Sequence, residues 1–107
     1  MKNKQYRQGD VLIERISMLP SSLTKIAREN GRVILAHGEV TGHAHAIAEE
    51  QCDLFQSDEP GVTFLAVRAA MAALQHDEHG TIALPAGQYR VTRQREYSPT
   101  AIRNVQD

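Results

Sequence analysis

The residues best suited to chemistry crowd into positions 37–49, His37-Gly-Glu-Val-Thr-Gly-His-Ala-His-Ala-Ile-Ala-Glu49, which hold three of the five histidines and a carboxylate towards each end. His43 and His45 are separated by a single residue. Side chains of an extended chain alternate between faces, so both imidazoles project from one face. Ala44 and Ala46, on the other face, are small enough to let another layer approach. Parallel imidazoles with carboxylates nearby are a donor set for a divalent transition metal. A second group, His76, Glu78 and His79, lies well downstream. With His37, Glu39, His43 and His45 it makes a two-part constellation of nitrogen and oxygen donors. Such a set suits zinc, iron, manganese or nickel, with geometry rather than affinity choosing among them. The competing reading is that histidines in a polar turn, such as His76 and His79, are only surface residues.

These groups need strands to aim them, and the chain punctuates like a β protein. Gln8-Gly9-Asp10 is a turn, followed by the strand-like Val11-Leu-Ile-Glu-Arg-Ile16. Leu19-Pro20-Ser21-Ser22 breaks it. Residues 23–30 fit two patterns: a helix capped by Ser21 or Ser22 and stopped at Gly31, or a strand entering an Asn30-Gly31 hairpin with Arg32–Ala36 returning. Asn-Gly is the stronger local signal and favours the hairpin. Gln51–Gln56 and Val62–Val67 read as strands around the turn Ser57–Gly61. Arg68–Leu74 is Ala-rich and helical on propensity, although its strand-like neighbours keep a strand open. His76–Gly80 is a turn, Thr81–Leu84 is extended, and Pro85-Ala86-Gly87 reads as a tight turn. The alternating run Gln88–Tyr97 follows. Ser98-Pro99 can start a short C-terminal helix over Thr100–Val105.

Composition bounds the function. A chain of 107 residues makes one domain. Apolar residues at 41% and charged residues at 23% are ordinary for a soluble globule. A net charge of −1 offers no global field for nucleic acid or an anionic membrane. No apolar run approaches a membrane span, and the first residues lack a signal-peptide core. The single cysteine, Cys52, excludes an internal disulfide and fits the cytoplasm. Cys52 has no neighbouring cation, and Asp53 beside it would raise its pKa, so thiol catalysis is not indicated. No serine or cysteine triad and no glycine-rich phosphate loop is present. Any catalysis would be metal-assisted, with Glu39 or Glu78 as general base for a metal-bound water or as a group that orients a ligand.

The segment Gly38-x4-His43-x-His45-x3-Glu49 resembles the first motif of the cupin superfamily, and Gly80-x4-Pro85-x-Gly87 resembles the start of the second. In cupins two histidines, a glutamate and a later histidine bind one metal inside a small β-barrel. The resemblance implies His43, His45 and Glu49 as ligands. Both glycine spacings are one residue short of the usual pattern, and the later histidine falls on Arg90. Arginine stays protonated and cannot ligate a metal. In a cupin-like barrel Arg90 would instead favour a carboxylate or phosphate ligand at the site. Otherwise it pairs with Glu96 or another carboxylate on the sheet, which is the favoured reading. The chain also resembles small bacterial and phage proteins carrying Gly-Glu-Val-Thr-Gly-His, His-x-x-His-Gly and Arg-Gln-Arg-Glu-Tyr segments, a likeness that implies no activity.

A rival class rests on the last strand. Alternation places Tyr89, Val91, Arg93, Arg95 and Tyr97 on one face, and aromatics interleaved with arginines can hold single-stranded nucleic acid. Aromatics are only 5% of the chain, which argues against it. The expectation is an all-β domain, a small cupin-like barrel or sandwich with a short C-terminal helix. It binds a divalent metal through His43, His45, Glu49, His76 and His79. A small-molecule ligand is the expected partner, and pairing with a second copy of the chain is left open. The alternative is a non-catalytic interaction module of bacterial or phage origin whose histidines are structural.

Overall fold

A two-residue turn sets the first register. The computed structural model describes residues 4–38 and 43–93. Strands β1 (Gln5–Gln8) and β2 (Val11–Ile16) pair antiparallel with Gln8 opposite Val11, leaving Gly9 and Asp10 as the loop. Gly9 has φ 60° and Asp10 is not in the positive-φ region, the pattern of a type II′ hairpin, which requires glycine at that first position. The remaining strands are β3 (Thr24–Ile26), β4 (Val33–His37), β5 (Ala44–Ile47), β6 (Cys52–Gln56), β7 (Val62–Gln75) and β8 (Ile82–Arg93). No helix occurs among the described residues. The fold is all-β.

The strands form one antiparallel sheet in the order β1-β2-β8-β7-β5-β4, with β6 also on β7 and β3 on β6. β7 is long enough to serve two neighbours along its edge. Thr63–Val67 pairs with β6, while Leu74 and Gln75 pair with β5. The sheet therefore forks, and β1 and β4 stand at its ends without pairing to each other. The expectation was a small barrel or a sandwich, and among the described residues the sheet stays open and does not close into a barrel. It still curls around one core, because Val11 and Ile13 of β2 share a buried cluster with Val33 and Leu35 of β4. Ile13, Ile47, Leu65, Leu74 and Leu84 are fully buried, each stabilising by about 1.5–3 kcal/mol. Tyr89 is 0% exposed, its hydroxyl donates to the Pro85 carbonyl, and its ring meets Tyr6 edge-on at 6.2 Å.

Three local readings are resolved by pairing. Asn30 and Gly31 have φ 53° and 79°, and Glu29 and Arg32 exchange backbone hydrogen bonds of 2.9 and 3.0 Å, so the Asn-Gly turn is present and no helix spans 23–30. The strand before that turn, β3, nonetheless pairs with β6 and not with β4. The Ala-rich stretch 68–75 is the second half of β7, where Ala72 and Leu74 face the core and Met71 and Ala73 face out. Its pairing with β8 and β5 overrides helix propensity. Pro85-Ala86-Gly87 is not a turn, because β8 runs straight through it. A register shift in β7 between Val67 and Met71 absorbs the irregularity, and β2 pairs only with Gln88–Arg93, so Pro85's missing donor goes unclaimed on that side. The expected helix over Thr100–Val105, and Glu39, Glu96, Arg95 and Tyr97, lie outside the described residues. No described helix is long and apolar enough to cross a membrane.

Candidate functional site

Three loops and strand ends meet at one rim of the sheet. β5 delivers His45 and, just before it, His43. The connection from β7 to β8 delivers His76, Glu78 and His79. The β1–β2 turn delivers Asp10. His43, His45, His76 and His79 line one pocket of about 260 Å³, with Asp10, Glu78 and Arg93 on the same surface. The His45 and His76 rings stack at 4.2 Å, His76 lies 4.8 Å from His79, and His43 lies 6.1 Å from His76. Gly9 makes this approach feasible, since a Cβ there would sit 2.8 Å from His79 Nε2 and 3.3 Å from His45 Cε1.

His45 is the buried member, 3% exposed. Its Nδ1 shares a 2.9 Å hydrogen bond with Gln8 Oε1, and its Nε2 faces Asp10 Oδ1 at 3.7 Å. Burial and the neighbouring His76 push its pKa down to about 4, against the pull of Asp10. It is therefore neutral near pH 7, and its approach to Asp10 is not an ion pair there. Burial alone would raise the Asp10 carboxyl, but Arg93, whose Nε donates to Asp10 Oδ2 at 2.9 Å, holds it below its usual value. Arg93 reaches this turn because it pairs with Val11 across β2 and β8. On the outer side, His43 Nδ1 lies 3.5 Å from Glu78 Oε2.

Donor atoms are gathered but do not converge. Among the described residues no group of three or more His, Cys, Asp or Glu side chains already has the arrangement of a metal site. Stacked rings hold their lone pairs side by side, and the Glu78 backbone N–H donates to His76 Nδ1 at 3.0 Å, occupying that lone pair. A metal would require His76 to give up that bond, worth about 0.5–1.5 kcal/mol.

Two expected participants lie elsewhere. Glu49 accepts a hydrogen bond from the Gln51 N–H at 3.0 Å and lines a separate depression of about 550 Å³ beside Met71 and Ala73. It sits past the end of β5, outside the extended run that aims His43 and His45. Arg90 projects from the face of β8 opposite to buried Tyr89 and Val91, and lies 3.4 Å from both Glu14 and Glu59. It pairs with Glu14 on β2 and with Glu59 in the β6–β7 turn, while Arg93 is the arginine at the pocket. His37 is exposed and bonds Glu29 at 2.9 Å. Cys52 is buried with its pKa raised by burial, an inert thiol. Tyr89 is core and offers no face for a base to stack on.

A family model described as a domain of unknown function, DUF8820, matches residues 7–94. The chain belongs to the DUF8820 family. Gln8, Asp10, the four pocket histidines and Arg93 all fall within the DUF8820 span. No curated protein and no solved structure matches the chain.

Proposed function

We propose that the protein binds a divalent transition metal, zinc, iron, manganese or nickel, in the histidine pocket. The observation that carries this reading is a double imidazole–carboxylate pairing on one pocket: His45 Nε2 with Asp10 Oδ1 at 3.7 Å and His43 Nδ1 with Glu78 Oε2 at 3.5 Å. Ligands about 2.1 Å from a tetrahedral ion stand about 3.4 Å apart, so each pair needs little movement to share one. His45 is the fixed ligand because it is buried and neutral. His79 and His76, on the polar turn, adjust to it. The ligand set differs from the cupin scheme: Asp10 takes the place that the resemblance gave Glu49, and His76 and His79 serve for the later cupin histidine, whose position holds Arg90. A small-molecule partner would be compact, since the pocket measures about 260 Å³.

The second reading is a non-catalytic interaction module of bacterial or phage origin in the cytoplasm; that its histidines are structural is favoured by the stacked rings and by the occupied lone pair of His76. Metal analysis of dialysed protein, followed by zinc, nickel and manganese titration of wild type and of a His43→Gln, His45→Gln double variant, separates them. The metal reading expects binding and a raised Tm in the wild type alone, since a ligand of the folded state stabilises it. Equal behaviour of the two proteins removes it.

A further inference from the structure

The side chain of Gln8 is 2% exposed and lies among the groups that build the pocket. Its Nε2 donates to the Leu74 carbonyl at 2.9 Å and to the Gly80 carbonyl at 2.8 Å. Peptide carbonyls only accept, so both amide protons are committed and the orientation of the amide is fixed. Its Oε1 must then accept. The 2.9 Å bond to His45 Nδ1 is therefore donated by the imidazole, and the proton of neutral His45 resides on Nδ1. Nε2 is left with its lone pair, facing the Asp10 carboxylate across 3.7 Å with no proton between them. Two electron-rich atoms so placed attract a cation. The same amide spans the base of the His76–His79 turn, because Leu74 and Gly80 flank it on either side.

We propose that Gln8 is the positioning residue of this pocket: through one amide it sets the tautomer of His45, so that Nε2 is the donor atom, and ties that histidine to the turn bearing His76 and His79. Histidine ligands are commonly oriented by a hydrogen bond on their other ring nitrogen, and losing such a partner typically costs 10–100-fold in metal affinity. The consequence for affinity rests on the metal-binding reading above, whereas the tautomer does not.

The test has two arms. Long-range ¹H–¹⁵N NMR of the metal-free wild type at pH 7.5 reads the protonated nitrogen of each histidine directly. The expected pattern for His45 is a proton on Nδ1 and a bare Nε2. The reverse pattern in the wild type, which requires no variant to fold, overturns the proposal. In Gln8→Met, with folding checked by circular dichroism, His45 is expected to lose its exclusive Nδ1–H form. Zinc affinity, read by competition with a chromogenic chelator, is expected to fall about 10–100-fold. A folded Gln8→Met that keeps both the Nδ1–H signature and full zinc affinity also overturns it. If the wild type shows the Nδ1–H form, Gln8→Met loses it, and neither binds zinc, Gln8 stands as the residue that sets His45 and only the metal-binding reading fails.

Discussion

The imidazole of His45 lies against that of His76 with ring centroids 4.2 Å apart and planes inclined by 29°. One ring is buried in β5 and the other belongs to the polar connection between β7 and β8, so the stack joins the core of the sheet to its rim. A charge on the His45 ring is opposed by burial and by the neighbouring His76.

That relationship makes stability pH-dependent. The His45 pKa is about 4 in the fold against about 6.5 when unfolded. Above pH 6.5 neither state takes the proton and no penalty exists. As pH falls from 6.5 towards 4 the unfolded chain binds a proton that the folded one refuses, so stability drops throughout that window and levels off below it. The loss attributable to His45 is about 3 kcal/mol. Urea denaturation of wild type and His45→Gln between pH 7.5 and 4.5 checks this, with a flatter profile expected for the variant.

Asp10 and Glu49 make opposite predictions for metal affinity. Asp10→Asn removes the charge facing His45 Nε2 and is expected to weaken zinc binding about tenfold or more. Glu49→Gln is expected to leave zinc binding unchanged, because that carboxylate serves the Gln51 N–H away from the pocket. Parallel zinc titrations of the two variants decide it.

Gly9→Ala should damage fold and site together. The φ of 60° costs a residue with a Cβ about 1–2 kcal/mol. The new methyl would also displace the His79 ring from 2.8 Å. The measurements are the urea midpoint and the His79 NMR shifts, both expected to move.

Arg28 organises the loop before β6. Its guanidinium donates to the carbonyls of Gly31, Glu49, Glu50 and Cys52 at 2.7–3.0 Å. Arg28→Ala is expected to lower stability by about 2–3 kcal/mol. Arg28→Lys should rescue little of it, since an ammonium cannot match a planar fork of donors. Chemical denaturation of both variants provides the check.

What the amino-acid order determined by itself is local. Alternating apolar residues bounded by Gly, Pro and Asn specify strands at Val11–Ile16, Cys52–Gln56 and Val62–Val67. Asn30-Gly31 specifies its own turn, because both positions need φ above zero. The one-residue spacing of His43 and His45 directs both to one pocket. Tertiary structure decided what depends on partners far along the chain. Residues 68–75 became strand because β8 and β5 were there to pair with them, a term that outweighs the helix preference of alanine. The open sheet follows from β7 dividing its edge between β5 and β6. Asp10, Arg93 and Gln8 entered the pocket through contacts bridging 35 to 83 positions, Asp10 with His45 being the shortest and Arg93 with Asp10 the longest. No spacing rule reaches that far: a hydrogen bond is indifferent to sequence separation, and only the fold that buries His45 determines which acceptor its ring proton meets.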